Sequence, residues 1–237
     1  FTVDEQDPNE IEIGVDPEML GNVFENLLPE YIRENRGTFY TPRKIVEYIC
    51  KSTLNDYLSY NLHNIDKEHL YDFIFDGNFD LDKSSQIQNF SNEIDTLLSS
   101  IKVCDPSIGS GAFAVTYLNI VSNLRFKLSS FTSQKYRNFL YDFKKNFIQN
   151  CIFGVDIDKY AIEISKLRLW LSLVVDQKNY EDIEPLPNLD FKIIQGDSLI
   201  HYYKNISLGP DILKDNQPQE DLFSSKNELI EKIKNFE

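Results

Sequence analysis

Three aspartates stand where short apolar segments end: Asp105, Asp156 and Asp197. A glycine pair, Gly109 and Gly111, follows the first of them. Glycine lets the backbone approach a bound molecule closely, and a carboxylate accepts hydrogen bonds from ammonium, hydroxyl and amino groups. Together these residues predict a pocket for a small molecule that carries a positive charge and several polar hydrogens.

Two classes of cofactor fit this pattern. Gly109–Ala114 satisfies the G-x-G-x-x-A pattern of a dinucleotide site, but such a site expects an acid about 20 residues later and favours phosphate groups. Phe131 stands near that position. S-adenosyl-L-methionine has no phosphate and carries an ammonium, a sulfonium and a ribose diol. We therefore expect this cofactor, with Asp105 at its methionine end, Asp156 accepting from both ribose hydroxyls and Asp197 accepting from the adenine amino group.

Each carboxylate also has an ordinary structural role open to it. Asp105 and Asp158 are suited to cap a helix, and Asp197 to end a strand. The cofactor interpretation depends on the three acids meeting at one place.

A parallel α/β sheet would bring them together. Apolar segments predict strands at 101–104, 151–155 and 191–194, and helical periodicity predicts helices over 112–128 and 160–175. Parallel strands end at the same edge of a sheet, where ligands bind. The predicted fold class is α/β, a partial Rossmann-like sheet that binds S-adenosylmethionine, preceded by a helical N-terminal segment.

The chain divides into four predicted parts. Residues 1–54 form the helical segment, with helices over 16–32 and after Pro42, and residues 55–100 form a polar insertion with short helices and loops. The cofactor-binding core covers 101–204. Residues 205–237 begin a further insertion or linker, with a short helix over 227–236.

Composition narrows the function classes. No long apolar run or signal-peptide pattern is present, which favours a cytoplasmic protein without membrane contact. Residues 1–100 contain 20 acidic and 7 basic side chains, so the chain alone is a poor nucleic-acid binder. Cys50, Cys104 and Cys151 lack metal-site spacing and are predicted to be small buried side chains. No nucleophilic triad and no metal site is predicted.

Five segments of the sequence resemble a known family. Asp105–Phe113 is similar to the D-P-x-x-G-S-G-x-F motif of adenine-specific DNA methyltransferases, and Phe39–Pro42 resembles their Y/F-Y-T-P motif in the gamma order. Gly154–Asp158 and Lys166–Leu173 resemble type IIG restriction-modification enzymes and related phage-defence methylases, as does Leu20–Glu25. Type I modification subunits share the first two motifs and are the second choice.

The resemblance implies roles for individual residues. Thr41 would bind the methionine carboxylate, although Thr41–Pro42 alone indicates only a helix cap followed by a first helical position. Gly109 and Gly111 would line the methionine, and Ile157 and Phe113 would form apolar walls. The predicted cofactor-binding residues are Tyr40, Thr41, Asp105, Pro106, Gly109, Gly111, Phe113, Asp156, Ile157 and Asp197.

The methyl-transfer motif of the family, Asn/Asp-Pro-Pro-Tyr/Phe, is absent, since none of the nine prolines is adjacent to another. No catalytic residue is therefore predicted, and we expect a fragment that binds the cofactor without turnover. The whole protein would methylate adenine N6 in double-stranded DNA, with a fused endonuclease as an option. The alternatives are a non-catalytic cofactor-binding scaffold and part of an RNA or protein methyltransferase. The DNA target and the oligomeric state are not predicted.

Overall fold

A computed structural model describes residues 41–77, 79–80, 84–132, 139–175, 185, 187–200, 202–203 and 206–207. The predicted helices over 16–32 and 227–236, and Tyr40, lie outside these residues. Contacts divide the chain into two compact units, Phe1–Ser198 and Leu199–Glu237. No helix in the described ranges has the length and apolar character needed to cross a membrane.

The described chain opens with four helices: α1 (Arg43–Asn61), α2 (Lys67–Phe75), α3 (Ser85–Asn89) and α4 (Ser91–Ser100). α1 confirms the helix predicted after Pro42. It runs through residue 54, where the sequence predicted a boundary, because its buried apolar repeat continues at a spacing of four residues. That repeat is Val46, Cys50, Leu54 and Leu58.

The helices after α1 are short and begin at side-chain caps. Asp66 accepts a hydrogen bond from the Glu68 amide at the start of α2 (2.9 Å), and Ser84 accepts from the Ile87 amide at the start of α3 (3.4 Å). Short helices and loops were predicted for this polar segment. Several of its apolar side chains, including Leu70 and Leu98, are buried in one hydrophobic core with the helices that follow.

A parallel sheet and its helices complete the first unit. In chain order the elements are β1 (Val103–Asp105), α5 (Ala112–Leu128), α6 (Phe139–Asn150), β2 (Ile152–Asp156), α7 (Lys159–Val174) and β3 (Ile193–Gln195). The strands lie in the order β1-β2-β3, and both pairs are parallel. Helices with a small parallel three-stranded sheet are compatible with part of a methyltransferase fold; a Rossmann-like arrangement stays a prediction.

The helix predicted over 112–128 has the bounds of α5, and the other predicted strands and helices of this part differ from the observed ones by one or two residues at their ends. α6 was not predicted. The predicted third strand was 191–194, whereas β3 covers Ile193–Gln195, so Asp197 lies two residues beyond the strand instead of at its end.

The two faces of the sheet are not equally covered. Ile152 and Ile193 are buried, whereas Cys104 and Ile194 are exposed. Side chains alternate between the faces of a strand, and Cys104 points away from the face that the helices cover. The prediction of a buried cysteine is therefore confirmed for Cys50 and Cys151 and wrong for Cys104.

The second unit is described only at a short antiparallel pair, β4 (Tyr202–Tyr203) and β5 (Ile206–Ser207). The sequence did not predict this hairpin.

Candidate cofactor site

The loop between β1 and α5 is held against the end of β2. The Ile108 amide donates a hydrogen bond to the Val155 carbonyl (3.0 Å), and the Gly109 amide donates to Asp156 Oδ2 (2.8 Å). Inside the loop, the Gly111 amide donates to the Ile108 carbonyl (2.8 Å). The glycine loop and the second strand-end aspartate therefore lie together.

Both oxygens of Asp156 accept a backbone hydrogen bond. Oδ2 accepts from Gly109 (2.8 Å), and Oδ1 accepts from the Asp158 amide (2.9 Å). Each carboxylate oxygen has a second lone pair, so a carboxylate fixed in this way can still accept one further hydrogen bond at each oxygen. Two adjacent hydroxyl groups are a suitable donor pair.

Asp105 ends β1 with one oxygen bound and one free. Oδ1 accepts from the Ser107 amide (3.0 Å), whereas Oδ2 is buried and has no hydrogen-bond partner in the described part of the chain. Burial raises the pKa of Asp105, the Ser107 bond lowers it, and the negative charge of Asp156 raises it further, with a net increase. A buried acceptor without a donor is uncommon in folded proteins, and a donor on a bound molecule would satisfy this oxygen.

The two loop glycines have different surroundings. Gly109 has φ +53°, and a Cβ added there would have no heavy atom within 4 Å. Gly111 has φ +83°, and an added Cβ would lie 2.9 Å from the Cβ and 3.2 Å from the Cα of Ser165. Gly109 thus leaves open space beside Asp156, while the close approach at Gly111 is made by α7.

A third glycine, to which the sequence assigned no role, allows the loop to pack closely against β2. Gly154 in the middle of β2 faces the buried Ile108, and a Cβ there would overlap the Ile108 side chain. The sequence signal is a glycine within an apolar strand, which often marks the close approach of another segment.

The segment after β3 is also attached to this edge. The Gly196 amide donates to the Asp156 carbonyl (2.8 Å), and Ser198 Oγ donates to the Pro106 carbonyl (2.6 Å). Asp197 lies between these two bonds and its side chain is exposed. All three aspartates therefore belong to segments that meet at one edge, although only Asp105 and Asp156 end strands.

The apolar residues predicted for the site differ in exposure. Ile157 follows Asp156 and is 68% exposed. Phe113, in the first turn of α5, is half-buried against the hydrophobic core, and its carbonyl accepts a weak hydrogen bond from the Cys50 thiol of α1 (3.8 Å). Ile157 is therefore available to a ligand, whereas part of Phe113 is used for packing.

Thr41 lies just before α1. The helix has Pro42 at its N-cap position, so Thr41 is one residue earlier than the capping role predicted for it. It is half-buried, and no hydrogen bond joins it to the aspartates or to the glycine loop in the described chain. Asp158, in contrast, is the N-cap of α7 and accepts from the Tyr160 amide (2.8 Å), as the structural alternative for this residue predicts.

Arg168 is the site neighbour that sequence reasoning missed. It is 4% exposed, and its guanidinium donates to the carbonyl (2.8 Å) and the hydroxyl (3.0 Å) of Ser110 in the glycine loop. A signal was present, because Arg168 falls on the same helical face as the buried Ala161 and Ser165, where an exposed arginine is not expected.

The described chain has a further surface feature that could compete as a binding site. A surface groove of about 390 Å³ is lined by Asn55, Lys67, Glu68, Tyr71 and Asp72; it includes none of the predicted site residues. Within the described residues, no group of histidine, cysteine or acidic side chains is arranged to hold a metal ion.

Comparison with known proteins agrees with the motifs. Residues 150–237 match the Eco57I restriction-modification methylase family. The matched range includes β2, α7 and β3, and therefore Asp156, Ile157 and Asp197.

The chain is also similar to a candidate type II restriction enzyme and methyltransferase of Methanocaldococcus jannaschii, with 28% identity over 219 residues. The chain is thus similar to restriction-modification methylases in both comparisons. The aligned part is 84% of this chain and 18% of that relative, so the chain spans about a fifth of the relative's length.

Proposed function

We propose that this chain forms the S-adenosyl-L-methionine-binding part of a site-specific DNA methyltransferase, of the type IIG restriction-modification class, that modifies adenine at N6. The observation that carries the proposal is the geometry at Asp105, Gly109 and Asp156. A fixed carboxylate with free lone pairs, a buried carboxylate oxygen without a donor and open space at a glycine lie at one sheet edge. These features suit a ligand that brings a diol and a cation.

Each contact follows from the groups on the ligand. Asp156 accepts from both ribose hydroxyls, Asp105 Oδ2 accepts from the ammonium group, and Asp197 accepts from the adenine amino group. Ile157 provides an apolar surface beside the adenine, and the Gly109 backbone lies along the methionine. Tyr40, Thr41, Pro106, Gly111 and Phe113 complete the proposed set, with Thr41 binding the methionine carboxylate.

The bound cofactor supplies an electrophilic methyl group on its sulfonium. The part of the protein in this chain holds and orients it, because polar groups that already have fixed hydrogen bonds do not need to reorganise when the ligand arrives. We assign no catalytic residue in this chain.

The substrate is proposed to be double-stranded DNA. A formal net charge of −14 opposes binding of phosphates, so we place the DNA contacts in other parts of the protein, along with any endonuclease activity. Adenine N6 as the target rests on the resemblance of Asp105–Phe113 and Phe39–Pro42 to the motifs of adenine methyltransferases. A cytoplasmic location accords with this function.

The test is calorimetric titration of the 237-residue chain with S-adenosylmethionine, alongside Asp156→Ala. We expect binding by the unsubstituted chain and a loss of about tenfold or more in affinity for the variant, since two charge-assisted hydrogen bonds are removed. Asp66→Ala is the matched control, because Asp66 also accepts a backbone hydrogen bond but lies at the start of α2.

Unchanged affinity in Asp156→Ala would remove Asp156 from the site. Binding of NAD in preference to S-adenosylmethionine would contradict the choice of cofactor. With labelled cofactor and DNA, this chain alone should transfer no methyl group. The target atom is tested with the full-length enzyme, by detecting N6-methyladenine in the DNA after incubation. Methylation of RNA or protein instead of DNA would refute the proposed substrate.

A further inference from the structure

The glycine loop is held from α7 as well as from β2. Arg168 donates from one guanidinium nitrogen to both the carbonyl and the hydroxyl oxygen of Ser110, and both residues are buried. The guanidinium is planar and its donors have fixed directions. A carbonyl that accepts from such a group cannot rotate freely, so Arg168 sets the orientation of the peptide between Ser110 and Gly111.

A second contact of α7 acts on the next residue of the loop. Ser165, one turn before Arg168 on α7, leaves too little space for a side chain at Gly111. The two contacts together hold Ser110 and Gly111 against the helix. Gly109, directly before them, then presents its amide to Asp156 Oδ2 at 2.8 Å.

We propose that Arg168 is a positioning residue for the cofactor loop: it holds Ser110 so that the Gly109 amide stays bound to Asp156 and the carboxylate keeps the orientation that receives the ribose. The inference rests on the proposed function. It goes further by assigning a role in binding to a buried residue of α7 that is not among the proposed cofactor contacts.

The alternative is that Arg168 only stabilises the fold. A buried arginine elsewhere in the chain separates the two explanations. Arg125 is 5% exposed and donates two hydrogen bonds to Asp95 at 2.6 and 2.8 Å. It lies near the end of α5, away from the glycine loop at its start. Arg125→Lys and Arg168→Lys both retain a buried cation and lose the hydrogen bonds of the guanidinium, but only the second alters the loop.

The experiment compares these two variants in the 237-residue chain at a temperature where circular dichroism shows both to be folded. We expect Arg168→Lys to weaken S-adenosylmethionine binding by about tenfold and Arg125→Lys by less than about twofold, although both lower the melting temperature. Ser110→Ala removes one of the two acceptors and should give an intermediate loss of affinity.

The second readout is the Gly109 amide signal in nuclear magnetic resonance spectra without cofactor. Arg168→Lys should shift this signal and speed its hydrogen exchange, in the direction that Asp156→Ala produces by removing the acceptor. Arg125→Lys should leave it unchanged. A purely structural role predicts no such change in the folded variant.

Equal losses of affinity in the two lysine variants, or an unchanged Gly109 signal in Arg168→Lys, would overturn the inference. Failure of the unsubstituted chain to bind S-adenosylmethionine would refute the proposed function instead. The Gly109 signal would then still decide whether Arg168 positions the loop.

Discussion

Two buried or partly buried carboxylates, Asp95 and Asp105, show how the helical region differs from the sheet edge. Asp95 on α4 accepts two hydrogen bonds from Arg125, and the Phe143 ring lies 4.4 Å from that guanidinium. Asp105 at the end of β1 has a buried oxygen without a partner in the described chain. The Asp95 charge is satisfied within the helical region, whereas at the sheet edge a buried carboxylate oxygen has no donor among the described residues.

The difference suggests that the helical region and the sheet edge have different roles. The pair of Asp95 and Arg125 joins α4 to α5 and contributes to one stable arrangement of helices. The sheet edge keeps a buried carboxylate oxygen without a partner, which costs stability, and two glycines whose positive φ would strain any other residue. Substitution of the buried pair in the helical region should therefore mainly lower stability. Substitution of a carboxylate at the sheet edge should mainly lower cofactor affinity.

The largest expected effect is in the helical region. Asp95→Ala leaves the buried Arg125 guanidinium without its carboxylate and should lower the free energy of unfolding by about 3–5 kcal/mol, measured by urea denaturation. The double variant Asp95→Ala with Arg125→Met should recover part of that loss, because it removes the uncompensated charge. A loss below about 1 kcal/mol would mean that the pair is not buried in solution.

An intermediate effect separates the two glycines. Gly111→Ala meets Ser165 at 2.9 Å and adopts φ +83°, so we expect a loss of about 2–4 kcal/mol from overlap and backbone strain. Gly109→Ala has only the strain of φ +53° and should cost about 1–2 kcal/mol. Chemical denaturation of both variants gives the comparison, and equal losses would contradict the assignment of Gly111 to helix packing.

The smallest effect on stability is expected at Asp105. Its raised pKa means that the folded state favours the protonated carboxyl. This contribution to stability is fully present below the unfolded value of 3.8 and is lost as the pH rises through the folded-state pKa. Asp105→Asn should therefore be slightly more stable than the unsubstituted chain at pH 7, by less than about 1 kcal/mol because solvent partly screens the group.

The same variant should bind S-adenosylmethionine more weakly, because the neutral amide does not attract the ammonium group. Denaturation at pH 4 and pH 7 tests the predicted gain in stability of Asp105→Asn. Calorimetry tests its predicted loss of affinity. A variant that is less stable at pH 7, and whose stability difference does not depend on pH, would show that Asp105 is not held in an unfavourable charged state.

Most local elements could be predicted from the sequence. The repeat of buried residues along α1 and the helix that starts at Ala112 follow from apolar spacing, and the glycine loop follows from its motif. These features depend on residues a few positions apart. The helix α6 is amphipathic but was not predicted, and periodicity places strand ends only to within one or two residues.

The sequence by itself determined the types of residue proposed for the site: three aspartates, a glycine loop and the threonine before α1. Only the tertiary structure decided how they are used. The bond between Gly109 and Asp156 joins residues 47 positions apart, and the bonds between Arg168 and Ser110 join residues 58 apart. Which glycine faces open space, and which carboxylate oxygen lacks a donor, depends on the packing of α7 and β2 around the loop, because such contacts leave no periodic signal in the chain.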